Sequence, residues 1–173
     1  MATYEKIAST TLSSNATTIT FSSIPQTFTD LILKFNIRTD IAGGGAYNVS
    51  IRINGNSGTN YQTLRLYGNA SSVLSFNASG QSQTLAGMAT AAGDTANTFS
   101  SNEIYLPNYK WSNAKCGSTV SVHENNATAA ERFFAANYIN LTDPITSIEL
   151  QITGVSYNFV PYSSAYLYGI SNA

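Results

Sequence analysis

Strict two-residue alternation is the feature that most constrains the fold of this chain. In the segment TDLILKFNIR, residues 29–38, apolar side chains alternate with polar ones from Leu31 to Ile37, and Ile32 is the one apolar exception. Successive side chains of a β-strand point to opposite faces of the sheet, so this pattern predicts a half-buried strand.

The alternation recurs in residues 47–54, where Tyr47, Val49, Ile51 and Ile53 share one face. A loop at 54–60 follows, and its opening Asn-Gly pair tolerates positive φ at both residues. We therefore expect a hairpin there, leading into a third strand from Tyr61 that carries Leu64 and Leu66.

Further strands are expected at 3–9, 17–22, 99–106, 118–123, 132–140, 145–153 and 165–170, with one short helical candidate at 126–132. About ten strands separated by turn signals, without long segments of helical period, predict an all-β fold. For 173 residues we expect one domain over 1–173, a single antiparallel β-sandwich that is jelly-roll-like.

The stretch 71–97 departs from this pattern because it is rich in Ala, Gly, Ser and Thr and poor in large apolar residues. We interpret it as a long surface loop with one weak strand near 73–76, or as an arm that orders against a neighbouring subunit.

Charge is scarce, with 8 Lys and Arg against 9 Asp and Glu and a net charge of −1. Charged residues make up 10% of the chain, against about 25% in ordinary domains. A nucleic-acid partner held by phosphate contacts is therefore not expected. The 43% of hydrophobic residues can build a core, which argues against disorder.

Few residues offer chemistry. His123 is the one histidine and Cys116 the one cysteine, so any nucleophilic triad must use His123. In a single strand an odd separation of seven places the two side chains on opposite faces. We interpret His123 as a residue near a strand end and Cys116 as a small buried hydrophobe.

Acidic and metal-binding patterns are equally sparse. Glu103 and Glu124 could form a carboxylate pair, but nothing in their spacing favours it. One His and one Cys cannot close a zinc site without two carboxylates, and no calcium, phosphate or dinucleotide motif appears. We therefore assign no catalytic, cofactor-binding or metal-binding residue and expect no enzyme and no cofactor, while ligand-binding residues stay unassigned.

Aromatic residues cluster late in the chain, at Tyr157, Phe159, Tyr162, Tyr166 and Tyr168. Three interpretations stay open. They are a core strand with ordinary surface tyrosines, a subunit interface, or a sugar-stacking surface.

Edge protection is thin, because about ten strands share four lysines, Lys6, Lys34, Lys110 and Lys115. Sheet edges of free monomers are usually guarded by Lys, Pro or bulges. We therefore expect an assembly protein that forms homo-oligomers.

The opening MATYEKIAST lacks the basic start and apolar run of a signal peptide, and no stretch reaches 18 apolar residues. We expect synthesis in a reducing cytoplasm without membrane insertion.

Five segments carry a resemblance to a known family. They are ATYEKIASTTL, FSSIPQTFTDLIL, SNEIYLPNY, TDPITSIEL and SAYLYGI, and together they span residues 3–170. The chain resembles small virion structural proteins of tailed bacteriophages, of the marine and cyanobacterial phage type. The resemblance implies a β-sandwich displayed on the virion, as a capsid decoration (cement) protein or a head or tail appendage, with major capsid or tail proteins as partners. It carries over no functional residues.

Three functions follow as hypotheses. The first is a non-enzymatic virion protein that forms homo-oligomers, with a trimer as one option. The second is a receptor-binding or carbohydrate-binding module of a tail fibre, which would bind a host surface glycan. The third, and least favoured, is a glycan depolymerase that would use Glu103 or Glu124.

Overall fold

The computed structural model describes residues 3–69, 71–123, 130–154 and 156–171. Within these ranges the chain forms twelve β-strands. In chain order they are β1 (Thr3–Thr11), β2 (Thr18–Phe21), β3 (Asp30–Asn36), β4 (Ala46–Ile53), β5 (Tyr61–Gly68), β6 (Val73–Gln81), β7 (Thr84–Thr90), β8 (Ser101–Leu106), β9 (Lys115–His123), β10 (Glu131–Ile139), β11 (Ile148–Ile152) and β12 (Ser164–Ser171).

The strands divide into two antiparallel sheets. The larger has eight strands in the order β1-β12-β3-β8-β9-β10-β5-β6, and the smaller has four in the order β2-β11-β4-β7. The two sheets pack as a sandwich, which confirms the all-β prediction. No helix in the described ranges is long and apolar enough to cross a membrane.

The core lies between the sheets and follows the alternation of the sequence. Leu31 and Leu33 of β3 are fully buried, and so are Val49 and Ile51 of β4. These residues belong to one hydrophobic cluster that draws on both sheets. Each buried aliphatic side chain contributes about 1.5–3 kcal/mol, so the inward faces of these two strands are a large part of the driving force for folding.

The Asn-Gly turn forms as expected, but it does not close a hairpin. Asn54 and Gly55 have φ values of 53° and 67°. The strands on either side of it belong to different sheets, because β4 lies in the four-stranded sheet and β5 in the eight-stranded one. The Tyr61 hydroxyl accepts a hydrogen bond from the amide of Ile53 (3.1 Å), so the buried Tyr61 ties the two sheets together at this crossing.

The stretch 71–97, predicted to be a surface loop with one weak strand near 73–76 or an arm, contains two strands, β6 and β7. Every residue of β7 is buried. Its small side chains reflect close packing, because a Cβ on Gly87 would lie 2.8 Å from the Phe35 ring and 2.4 Å from the Asn102 side-chain oxygen. Low bulk in β7 therefore marks a strand pressed against the larger sheet, which composition alone could not separate from a loop.

The remaining predicted strands all form, with bounds shifted by a few residues. The helical candidate at 126–132 is wrong at its end, because Glu131 and Arg132 open β10 and pair with His123 and Val122 of β9. Residues 126–129 of that candidate lie outside the described ranges.

Candidate functional site

His123 and Cys116, the two residues on which a nucleophilic site would depend, lie on opposite faces of β9, as their odd spacing predicts. His123 ends the strand and is buried. Cys116 is exposed, so its interpretation as a buried hydrophobe is wrong. It faces the outer side of the eight-stranded sheet, which no layer of the described residues covers.

His123 contacts a carboxylate. Its Nε2 lies 3.0 Å from Oδ2 of Asp94, and both side chains are almost fully buried. The Asp94 carboxylate also accepts hydrogen bonds from the amides of Gly45 (3.0 Å) and Ala91 (3.1 Å). Burial acts to raise the pKa of Asp94, but the His123 contact and the two amide bonds outweigh it and hold the pKa below its usual 3.8.

Arg38 holds the loop that carries Asp94. Its guanidinium donates to the backbone oxygens of Ala92, Asp94, Thr95 and Thr98 at 2.9–3.1 Å. Arg38 thus holds the loop that follows β7 through the backbone carbonyls of that loop. Asp94 holds it through the amides of Gly45 and Ala91. Within the described ranges, no Ser, Thr or Cys side chain is hydrogen-bonded to the His123 ring.

Glu103, one of the two acids that could form a carboxylate pair but whose spacing did not favour it, forms an ion pair with Lys34 at 2.9 Å on the outer face of the eight-stranded sheet. The hydrogen bond and the charge of Glu103 raise the pKa of Lys34. Glu124 lies outside the described ranges. Within them, no group of three His, Cys, Asp or Glu side chains is placed to hold a metal ion.

The outer face of β5, β6, β9 and β10 carries apolar side chains. We call it the apolar face, and it consists of Leu64, Leu66, Val73, Val120, Val122, Phe134 and Tyr138. Phe134 lies at its centre, opposite Leu66 of β5 and Val120 of β9. Phe134 is 62% exposed, Leu66 56% and Val120 50%.

Some inner positions of the same strands are taken by polar side chains, beside buried apolar residues such as Phe133 and Ile139. The Asn137 side chain donates to Thr119 Oγ1 (2.9 Å) and to the Leu85 carbonyl (3.1 Å), and its oxygen accepts from Thr63 (3.1 Å) and Thr84 (2.8 Å). All four hydrogen-bonding positions of this buried amide are filled.

Asn102 on β8 repeats the arrangement. Its oxygen accepts from the amide of Met88 (2.8 Å) and the hydroxyl of Ser121 (2.6 Å), and its nitrogen donates to the carbonyls of Phe35 and Met88. A slip of one residue would turn every side chain of a strand to the other face. These filled hydrogen bonds therefore help to keep Asn137 and Asn102 on the inner face of their strands.

The apolar face includes an open depression of about 340 Å³. Leu66, Val73 and Phe134 form much of its wall, with Arg132 at one side. This surface could not be predicted from the sequence, because alternation shows that Val120 and Val122 share a face with Cys116 but not whether that face points to the core or to water.

A second depression, of about 420 Å³, lies further along the same outer face and is more polar. Tyr4, Tyr105, Asp30 and Glu103 are among its lining residues. The Tyr105 hydroxyl donates to Asp30 Oδ2 at 2.9 Å, and burial together with this hydrogen bond raises the pKa of Tyr105 to about 12.

The late aromatic residues do not form one site. Phe159 is fully buried in the core, and Tyr162 is 77% exposed. Tyr166 and Tyr168 lie on the outer face of β12 and are half-buried, opposite Lys34 and Ile32 of β3.

No protein-family model and no curated protein matches the chain. Among solved structures, it is similar to two of scytalido-glutamic peptidase, one with a peptide-based transition-state analogue and one with a transition-state analogue inhibitor. They are 12% and 13% identical to it, with TM-scores of 0.32 and 0.31, over 87% of this chain and 74% of theirs. A likeness at this level carries no argument about fold or activity.

Proposed function

We propose that this chain is a non-enzymatic bacteriophage virion structural protein, displayed on the particle as a capsid decoration protein or a head or tail appendage. The observation that carries the proposal is the apolar face. Its strands carry leucine, valine and phenylalanine on their outer face, where a sheet that faces water would carry polar side chains.

The size of the apolar face supports a covered surface. At roughly 150–250 Å² for each large side chain, the observed exposures leave roughly 700 Å² of apolar surface in water. Patches on monomers are usually about 300–600 Å², and one partner contributes about 800 Å² to a standard interface. The apolar face is therefore large enough to seat the chain on another virion protein.

The decisive experiment asks whether the chain is part of a particle and where it lies. We expect mass spectrometry of gradient-purified particles to detect the protein, and a cryo-EM reconstruction to contain its density. Density at local symmetry axes of the head would indicate decoration, and density on a fibre would favour the receptor-binding alternative. Its absence from intact particles would contradict the proposal.

Attachment can be tested with a matched pair of variants. We expect Phe134→Glu to abolish co-sedimentation with particles that lack the protein, because it places a charge at the centre of the apolar face. Trp111→Glu is the control, since Trp111 is 55% exposed and lies outside that face. Equal binding by both variants would show that the apolar face does not seat the protein.

The tyrosine-lined depression favours a second candidate, a carbohydrate-binding module. Exposed Tyr4 supplies an aromatic surface, and the carboxylates of Asp30 and Glu103 lie beside it. Such groups suit the faces and hydroxyls of sugars. Saturable binding on a glycan array that is lost in Tyr4→Ala and kept in Trp111→Ala would support this candidate.

A further inference from the structure

The sheet edges in the described ranges differ in how they are protected. β1 carries Glu5 and Lys6 and has a register shift between Lys6 and Ala8. β2 is four residues long, and β7 is buried along its whole length. Charges, bulges, short length and coverage are the usual means by which proteins protect an edge.

β6 has little of this protection. It is nine residues long, reads VLSFNASGQ with no charge and no proline, and is exposed at every position but one. A register shift between Ala78 and Gln81 interrupts the last third of the strand, so the regular pairing with β5 covers residues 73–78. Lysines do not protect it, because Lys115 is buried and Lys34 lies in the middle of the sheet. Its second side faces no strand of the described ranges.

Hydrogen bonds at the ends of β5 and β6 determine which residues of β6 bond to β5 and which point their backbone groups outward. The amide of Asn69 donates to the Ser72 carbonyl (3.1 Å), which makes 69–72 a bonded pair. Bonded pairs alternate along an antiparallel ladder, so Leu74 and Phe76 bond to β5. Val73, Ser75 and Asn77 therefore point their amides and carbonyls away from the molecule. The bond from the Asn140 amide to the Asn60 carbonyl leads to the same alternation in β5, in which Tyr67 and Arg65 bond to β6 and Leu66 bonds to β10.

We propose that two copies of this chain join edge to edge through β6, antiparallel, about a two-fold axis at Ser75. The inference deepens the proposed assembly role, on which it rests, by naming the strand through which copies meet. The two eight-stranded sheets become one of sixteen strands.

The strand is complementary to itself in this register. Ser75 lies opposite its own copy, Val73 opposite Asn77, and Leu74 opposite Phe76. Leu74 and Phe76 are each 47% exposed, so each gains an apolar cross-strand partner. No charged residue meets another across the axis, and a net charge of −1 adds little repulsion between copies. A second copy of β6 is thus the occupant that the edge fits best.

The test compares proline at two free edges of the same sheet. Ser75→Pro removes an amide that points outward, and Ser9→Pro does the same on β1, where the bond from Leu12 to Ser163 places the Ser9 amide outward. In sedimentation equilibrium from micromolar to near-millimolar concentration, we expect wild type and Ser9→Pro to form dimers. For Ser75→Pro we expect a dissociation constant at least about tenfold higher.

Ser75→Lys is the second variant, because it leaves the backbone intact and sets two lysines opposite each other. We expect it to weaken the dimer as Ser75→Pro does. A wild-type monomer throughout the range, or dimers of both Ser75 variants with wild-type affinity, would overturn the proposal. So would a dimer that Phe134→Glu dissociates and Ser75→Lys does not.

Cys116 gives a measurement that needs no edge variant. A nitroxide on this single exposed thiol would sit seven strand spacings from its copy, about 34 Å at about 4.8 Å each. Cys116 also lies several residues along the strand direction from the axis at Ser75, so the expected distance between the two Cys116 labels is about 40 Å. Pulsed dipolar spectroscopy that finds a well-defined distance far from this value would contradict pairing through β6.

The two proposals can fail separately. A dimer joined through β6 that never appears in particles would refute the virion function and keep the edge pairing. A particle-bound protein whose Ser75→Lys variant attaches and associates like wild type would refute the edge pairing and keep the function.

Discussion

The side-chain amide of Asn137 links three strands to its own. It holds hydroxyls from β5, β7 and β9 and a carbonyl of β7 in one buried network. A buried polar group is stable only while its partners stay in place, since an unsatisfied donor or acceptor costs about 1–3 kcal/mol. This residue therefore determines which face of β10 points inward.

Replacing Asn137 by alanine should be costly. We expect Asn137→Ala to lower the free energy of unfolding by about 3 kcal/mol, because it leaves a cavity and removes the four buried hydrogen bonds that the amide makes with Thr63, Thr84, Thr119 and the Leu85 carbonyl. Urea denaturation measures the loss. Asn140→Ala, at an exposed asparagine, should change stability by about 0.5 kcal/mol or less. Similar losses in the two variants would contradict the network.

Asp94 should make stability depend on pH in the acid range. Its pKa is lower in the folded state than the usual 3.8, so the folded chain favours the carboxylate. The stabilisation is present above 3.8 and is lost as the pH falls through the folded pKa. We expect the stability difference between wild type and Asp94→Asn to be largest near neutral pH and to shrink below about 3.8. A difference that stays constant with pH would contradict this assignment.

At the scale of elements, β10 shows what alternation can and cannot predict. Each face of β10 mixes apolar and polar side chains. The inner face carries Phe133, Ala135, Asn137 and Ile139, and the outer face carries Arg132, Phe134, Ala136 and Tyr138. The period of two predicts the strand itself. The direction it faces depends on partners in β5, β7 and β9, which a local pattern does not contain.

Other elements divide in the same way. β3 and β4 were predictable because their apolar sets are unmixed, and β7 was not, because alanine and glycine there fit a close approach between sheets. The apolar face combines residues from four strands, so it exists only once the sheet order is known.

Two neighbouring phenylalanines test the orientation of β10. Phe133 is 1% exposed and Phe134 is 62% exposed. We expect Phe133→Ala to lower the free energy of unfolding by about 3–5 kcal/mol and Phe134→Ala by less than about 1 kcal/mol. Denaturant titration of the two variants at a concentration where the protein is monomeric makes the comparison. The reverse order of losses would mean that β10 faces the other way.

For the whole molecule, the scarcity of charge has a structural meaning. Lys115 is buried, where its ammonium donates to the carbonyls of Trp111, Asn113, Leu141 and Thr142. Lys34 is paired with Glu103 in the middle of the sheet. These two lysines thus shape a loop and pair locally. β6 itself carries no charge, and the cations beside it and the apolar face are Arg65, 5.3 Å from the Phe76 ring, and Arg132.

Association between copies should therefore depend little on ionic strength. Contacts made by backbone hydrogen bonds and apolar side chains are not screened by salt as charge pairs are. We expect the dimer dissociation constant to stay within about threefold between low and high sodium chloride. A weakening of tenfold or more, measured by sedimentation, would show that charged groups hold the copies together.

The position of β3 has a consequence for how the chain reaches its folded state. Leu33 at its centre pairs with Ile104 on one side and Leu167 on the other, so both neighbours are distant in sequence. Ordering such contacts requires the closure of long loops, and proteins dominated by them fold in about milliseconds to seconds. During synthesis β3 leaves the ribosome long before β12. We therefore expect the apolar side chains of β3 to lack their native partners over that interval, which is when a chain of this topology is most prone to aggregate.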